Sequence, residues 1–223
     1  DRLAQRRGGG VQDEEAGGDG NEDEDAPEHR RAEEEPEAAE GIGIGDEVRT
    51  VAESADGRVF VGSNLGRLFE VRNRSLTPAE APAGLAASGV FLAMDMADGA
   101  LWLANRKFVG RLSGGQWRPV GRQPNTPDAL VATAARNGGL WVYSMGELCR
   151  YHADGQVEAF RVRGLDQPRE LCEDRSGRVW IASMSHGLIG VKPGVVPDVI
   201  TLNATNGLAY NSVRHVYLDE EDN

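Results

Sequence analysis

Apolar residues along this chain come in short bursts, and the bursts recur at a near-constant interval. Four stretches align: "VRTVAESADGRVFVGSNLGRLFEV" from Val48, "GVFLAMDMADGALWLANRKFVGRL" from Gly89, "ALVATAARNGGLWVYSMGELCRY" from Ala129 and "PRELCEDRSGRVWIASMSHGLIGV" from Pro168. In each, a glycine precedes an aromatic by three positions: Gly57 and Phe60, Gly99 and Trp102, Gly138 and Trp141, Gly177 and Trp180. These glycines stand 42, 39 and 39 residues apart. Fixed spacing of this kind marks a repeat architecture.

Each unit reads the same way. An apolar run leads into Asp-Gly, Asn-Gly or Ser-Gly, which accept the positive φ angles of hairpin turns. A strand with consecutive apolar residues follows: Val59–Val61, Leu101–Leu103, Leu140–Val142 and Val179–Ile181. Apolar side chains on both faces require cover on both faces. A third strand is predicted at Arg67–Val71, Val109–Leu112, Glu147–Tyr151 and Leu188–Lys192, and a fourth at Gln116–Val120 and Val157–Arg161. No apolar spacing of helical period competes with this reading.

Small antiparallel sheets covered on both faces stack on copies of themselves, and radial stacking makes a β-propeller. A β-sandwich and a β-solenoid are the architectural alternatives. The expected fold is therefore all-β, a partial propeller over 46–223 with blades at about 46–83, 88–123, 128–163 and 168–205. "NGLAYNSVRHVYLDEEDN", from Asn206, restarts the pattern, with Val213–Leu218 as the first strand of a fifth blade (212–223) and Asp222 in place of the turn glycine.

Charge divides the chain. The net charge is -12, and residues 1–45 hold 15 Asp or Glu against 5 Arg, so the repeat region is close to neutral. The leader has almost no large apolar residues and is expected to be a disordered acidic linker. "DGNEDE" from Asp19 has the look of a calcium loop, but Glu24 stands where that loop needs glycine and Arg30 where it needs a bidentate glutamate. No basic stripe exists to hold phosphates, which removes nucleic acid from the partners. There is no apolar run of membrane-spanning length and no signal peptide. The first residue is Asp1 rather than Met, and the chain reads as part of a longer protein. Cys149 and Cys172 form neither a disulfide framework nor a zinc pattern, so no cofactor or metal is expected.

"ELCEDRSGRVWIASMSHGLIGV", "NGLAYNSV" and "VRHVYLDEEDN" resemble the repeats called two-component regulator propellers. That consensus runs Glu-Asp-x-x-Gly-x-[Leu/Ile]-Trp-[Ile/Val]-Gly-Thr, then Gly-Gly-Leu and an Asn-Gly-Leu-x-x-Asn-x-Val connection. The resemblance covers about 47–223 and is strongest in the last third. Earlier units depart from it: Phe60 replaces Trp, Ala104 and Tyr143 replace the small glycine, and the Glu-Asp pair is missing from the second and third units. The resemblance implies a non-catalytic sensory segment of a periplasmic or extracellular receptor region in a membrane protein. Its implied partners are a small polar or carbohydrate ligand, further blades and signalling domains of the parent chain, and a second copy in a homodimer. A propeller that binds only other proteins is the alternative. "GGLWVYSMGELCRYHADGQVEAF" also resembles streptogramin-lyase-type propellers, which use a channel histidine and magnesium. His152, however, directly follows a third strand, which places it away from the channel.

Candidate chemistry concentrates in the loops that join strands two and three and the loops that join blades. In a propeller both sets lie on one face. They hold Asn64, Asn105, Arg106, Met145, Ser185, His186, Tyr210, Asn211 and Ser212. Asn64, Asn105, Arg106, Ser185, His186, Tyr210 and Asn211 are the expected ligand contacts. Ser185 beside His186 does not meet the needs of serine catalysis, whose base comes from a separate segment. Asp174 and Asp219 are expected to accept hydrogen bonds from their own turns. Phe60, Trp102, Trp141 and Trp180 recur at one position of the repeat and are expected to pack between blades. Gly57, Gly99, Gly138 and Gly177 are the turn residues.

Overall fold

The computed structural model describes residues 46–81, 93–126 and 130–219. The acidic leader, the start of the second unit at 88–92 and Asp222 lie outside these residues. The chain divides into two units, Asp1–Glu37 and Ala38–Asn223, and every described residue belongs to the second.

Four bursts of apolar residues become four antiparallel meanders, each strand pairing with the next in sequence. The first sheet contains β1 (Val48–Glu53), β2 (Val59–Ser63), β3 (Leu68–Arg72) and β4 (Ser75–Pro78). The second contains β5 (Ala93–Ala97), β6 (Ala100–Ala104), β7 (Val109–Ser113) and β8 (Gln116–Pro119). The third contains β9 (Val131–Ala134), β10 (Leu140–Ser144), β11 (Glu147–Tyr151) and β12 (Val157–Arg161). The fourth contains β13 (Pro168–Glu173), β14 (Val179–Ser183), β15 (Gly187–Lys192) and β16 (Asp198–Leu202). No helix occurs among the described residues. The first strands lie beside one another in the order β1, β5, β9, β13. The sheets therefore stack in chain order, as blades.

The turns differ from the uniform tight hairpin that the sequence suggests. Only the second blade joins its first two strands by a two-residue turn, with Asp98 at φ 54° and Gly99 at φ 66°. In the other three a longer loop closes through a turn bond, as in Gly57 N–H to Ser54 O at 2.8 Å and Gly177 N–H to Asp174 O at 2.9 Å. Gly139 is fixed by space as well as by φ: a Cβ there would stand 2.1 Å from the Tyr151 carbonyl oxygen.

Each hydrophobic cluster spans two neighbouring sheets. Phe60 and Leu68 meet Met94, Leu101 and Leu103, and Trp102 meets Leu130, Leu140, Val142 and Tyr151. Trp141 meets Leu171, Val179, Ile181 and Ile189. Phe60, Trp102 and Trp141 are thus wedges driven against the next blade. Trp102 is 0% exposed and Trp141 is 2% exposed. An arginine covers the ring from the same sheet, with Arg111 at 5.9 Å from Trp102 and Arg150 at 5.6 Å from Trp141. Such cation–π contacts strengthen where water is excluded.

Two expectations change at the last sheet. Trp180 is half-buried rather than locked between blades, because no sheet among the described residues covers its face. Its ring lies over Gly190, where any Cβ would meet Trp180 Cζ3 at 2.9 Å. Val213–Leu218 is not a strand: it runs beside the fourth blade, with Val213 N–H bonded to Ser183 O at 2.8 Å. A strand requires a ladder partner, and none is present among the described residues.

The difference in cover between the two tryptophans can be measured. Trp141→Ala should cost about 3–5 kcal/mol, the usual range for emptying a packed aromatic site. Trp180→Ala should cost well under half of that. Urea unfolding of the two variants against the parent chain checks the order, and equal losses would contradict the packing described.

Candidate functional site

The polar loop residues hold the loops in shape. Asn64 Oδ1 accepts the Glu47 N–H at 2.9 Å, Asn105 Oδ1 accepts Lys107 N–H at 2.8 Å, and Asn211 Oδ1 accepts Ala204 N–H at 2.8 Å. Asn105 is fully buried, which removes it as a ligand contact. The Arg106 carbonyl accepts Thr126 N–H at 3.2 Å, joining the second blade to the linker beyond it. Tyr210 is exposed, and Asn211 also ties the fourth blade, accepting Gly187 N–H at 2.7 Å through its carbonyl. These residues sit on separate loops, and the structure does not gather them into one site.

Ser185 and His186 do come together, with Asp166 as a third member. Ser185 Oγ lies 2.9 Å from His186 Nδ1, and Asp166 Oδ1 lies 2.9 Å from the same nitrogen. Ser185 Oγ also donates to Asp166. A hydrolytic triad needs the serine on one ring nitrogen and the carboxylate on the other, so that the imidazole can relay a proton between them. Here both use Nδ1. The cluster is a solvent-facing loop clasp, anchored below by the fully buried Ser183, whose Oγ donates to Asp166 O at 2.9 Å.

Asp174 serves its own hairpin and the wedge together. It accepts Arg178 N–H at 2.9 Å on Oδ1 and the Trp180 indole N–H at 2.9 Å on Oδ2. Burial works against its ionised form, but hydrogen bonds from Ser176, Arg178 and Trp180 outweigh it and hold the carboxyl below its ordinary value. Glu173, on the opposite face, accepts the Trp141 indole N–H at 2.9 Å and Arg136 N–H at 2.8 Å, fastening the fourth blade to the third.

The site that the geometry does gather lies where the first strands converge. A cavity of about 720 Å³ is lined by β1, β5, β9, β13 and the segment at Arg214 and His215. Its polar groups include Arg49, Thr50, Asp95, Thr133, Arg169 and Glu170. None of the seven expected loop contacts lines it. Side chains of one first strand hold the backbone of the next. Thr50 Oγ1 accepts Met94 N–H at 3.2 Å, Asp95 Oδ2 accepts Ala134 N–H at 2.6 Å, and Glu170 Oε2 accepts Val216 N–H at 2.8 Å. His215 Nδ1 stands 3.4 Å from the same Glu170 oxygen. The cavity volume falls within the range of small-molecule sites.

A smaller cavity of about 280 Å³ lies under the exposed Met145, lined among others by Arg122, Ser144, Cys149 and Tyr151. Burial pushes the Tyr151 hydroxyl up to about 12 and raises the Cys149 thiol, so both stay neutral at physiological pH. Burial likewise pushes Cys172 up to about 11. Neither thiol is poised as a nucleophile. Among the described residues no group of three or more His, Cys, Asp or Glu could hold a metal ion.

No family model and no curated protein matches the sequence. Solved structures do match the fold. One is the extracellular domain of the candidate one component system BT4673 from B. thetaiotaomicron, with TM-score 0.62 and 17% identity over 79% of this chain and 26% of that one. Another is a catalytically inactive virginiamycin B lyase from Staphylococcus aureus with quinupristin, at TM-score 0.58 and 14% identity over 72% of this chain and 57% of the lyase. A third is PorZ, a surface component of the type-IX secretion system of Porphyromonas gingivalis, at TM-score 0.52 and 12% identity, covering 71% of this chain and 21% of PorZ. The chain thus spans little more than half of the lyase and about a quarter of the BT4673 domain. At these identities the likeness is one of fold, and the fold is that of a β-propeller.

Two outcomes follow from this geometry. A fluorophosphonate probe should leave Ser185 unlabelled, and mass spectrometry of the treated chain reads this directly. Because the folded pKa of Asp174 lies below its ordinary carboxylate value, its ionised form stabilises the fold above that value. This stabilisation disappears as pH falls through the lower folded pKa. Urea midpoints should therefore drop below about pH 4, and Asp174→Asn should flatten that drop.

Proposed function

We propose that this chain is a ligand-sensing arc of propeller blades from an extracellular or periplasmic receptor of two-component type. The observation that carries the reading is the cavity where five successive repeats present polar side chains to one space. The fold likeness to the extracellular domain of BT4673, described as a one component system, supports the signalling context. So does the resemblance of the repeats to two-component regulator propellers. Among the described residues no helix is long and apolar enough to cross a membrane.

In this reading the ligand is a small polar molecule, carbohydrate-like in its need for hydrogen-bonding groups. Binding would bridge the first strands of neighbouring blades, whose backbones are already tied by Thr50, Asp95 and Glu170. The signal is then a change in how those blades sit against one another.

A lyase reading draws on one observation: His215 lines the cavity, 3.4 Å from a Glu170 oxygen. Streptogramin turnover that disappears in His215→Ala would establish it in place of sensing.

Thermal stability of the chain against a panel of sugars and nutrient-type acids tests the sensing reading, because a bound ligand raises the midpoint by mass action. Val51 lines the cavity and is 57% exposed, so Val51→Trp fills space there with little effect on folding. A ligand-dependent rise that Val51→Trp abolishes is the expected result. A rise that survives Val51→Trp would place binding elsewhere and overturn the proposal.

A further inference from the structure

The first strands of the first and fourth blades share an irregularity. In β1 the pairing steps from Val48 opposite Ser63 to Thr50 opposite Gly62, and Arg49 is left out of the ladder. In β13 it steps from Pro168 opposite Ser183 to Glu170 opposite Ala182, and Arg169 is left out. Each is a β-bulge, a device that bends the strand and re-aims the extra residue. The extra residue is an arginine both times, and both arginines line the cavity. In the third blade the pairing is regular, with Val131 opposite Tyr143, and Leu130 stands at the corresponding place. Bulge and arginine occur together. A third arginine, Arg214, follows Val213 as Arg49 follows Val48, and it lines the same cavity.

Of the cavity's carboxylates, Asp95 is engaged on both oxygens and Glu170 on Oε2. Asp95 Oδ1 accepts Met96 N–H at 2.7 Å, and Oδ2 accepts Ala134 N–H at 2.6 Å and the Thr133 hydroxyl at 3.3 Å. Glu170 accepts Val216 N–H at 2.8 Å. Arg49 pairs with Glu47 at 2.7 Å, an exposed ion pair of the kind that exchanges readily. Among the described residues, the side chains of Arg169 and Arg214 have neither a hydrogen-bond nor an ion-pair partner. Guanidinium groups are planar forks of donors that match the oxygens of a carboxylate, sulfate or phosphate.

We propose that the cavity binds the anionic group of an acidic sugar-type ligand, with Arg169 and Arg214 as its principal contacts and Arg49 completing the set. The proposal rests on the ligand-sensing reading above and names the charge of the ligand. Thr50 and Thr133 supply neutral polar groups beside the arginines, suited to the remainder of a polar molecule. Arg169 belongs to the fourth blade and Arg214 to the segment that follows it, so an anion shared between them ties that segment to the blade.

Isothermal titration of the 223-residue chain with matched sugars tests this. Glucose and galactose are the neutral arm, glucuronate and galacturonate the carboxylate arm, and the sulfate and phosphate monoesters of glucose the ester arms. At least one acidic arm should bind at least about tenfold more tightly than its neutral parent, as charge-assisted pairing predicts. The arm that binds identifies the anion. The Arg169→Gln/Arg214→Gln double variant should lose that advantage while keeping the parent unfolding midpoint. Arg118→Gln, on the exposed outer strand β8, should keep it. Added sodium chloride should weaken the acidic arm alone. Neutral and acidic sugars binding equally, with Val51→Trp blocking both, would overturn the anion assignment and leave sensing intact. Binding of the acidic arm unchanged in the double variant would also overturn it. Absence of binding in every arm and across the wider nutrient panel would overturn both readings.

Discussion

A sheet of four strands, each only four to six residues long, has two faces and little area on either. In water it could bury neither alone, and an isolated meander of this size is marginal at best. The second strands carry apolar side chains to both faces, so every interior sheet needs a neighbour on each side. The aromatic wedge meets that need. Trp102 and Trp141 leave their own sheets and become core residues of the next, where each displaces water from a large area of both blades. Polar groups ride along only where they are satisfied: the indole of Trp141 finds Glu173 of the following blade, and that of Trp102 finds Ala97 O at 3.2 Å. The wedge thus fixes blade spacing, and blade spacing fixes the cavity where the first strands meet.

Because the wedge is a repeated apolar feature at fixed distance from a turn glycine, the architecture was legible in the sequence. Consecutive apolar residues at Leu101-Trp102-Leu103 and Leu140-Trp141-Val142 can be satisfied by two-sided burial and little else. The site was less legible, for two physical reasons. Asparagine and serine in loops are equally suited to binding a ligand and to capping their own backbone, and sequence does not separate the two uses. The structure shows Asn64, Asn105 and Asn211 in the second. The cavity arginines depend on a register slip, which follows from how a whole strand pairs. One trace was visible: Arg49, Arg169 and Arg214 each stand second in their repeats, after Val48, Pro168 and Val213. A periodic charge on a strand that otherwise reads as core is a signal of that kind.

The fourth sheet holds its aromatic differently from the second and third. Outer strands are exposed in interior and end sheets alike, as in β8, β12 and β16, and the second strand of the fourth sheet differs from β6 at Trp180, which is half-buried. Val199 and Ile200 of β16 are exposed apolar residues on a sheet of the same construction. Trp180 lies on its own sheet, over Gly190, where the second and third blades carry Arg111 and Arg150. An arginine side chain at Gly190 would occupy that space. The glycine therefore leaves room for the Trp180 ring, held by the Asp174 carboxylate at 2.9 Å.

The same contrast bears on how a bound molecule could be felt at a distance. Between β5 and β9 the tie is Asp95 to Ala134, reinforced by a buried wedge and a continuous core. Between the fourth blade and the segment after Ser212 the ties are Glu170 to Val216 and Ser183 to Val213, with no ladder among the described residues. Opening the first junction would expose a core. Opening the second breaks a few hydrogen bonds, each worth on the order of 1 kcal/mol. In the proposed sensing role, a ligand held by Arg169 on one side and Arg214 on the other would act across the weaker junction, where a binding free energy of several kcal/mol is enough to change the equilibrium. In that role the blades would be the frame, and the cavity places Arg169 and Arg214 on the two sides of the junction.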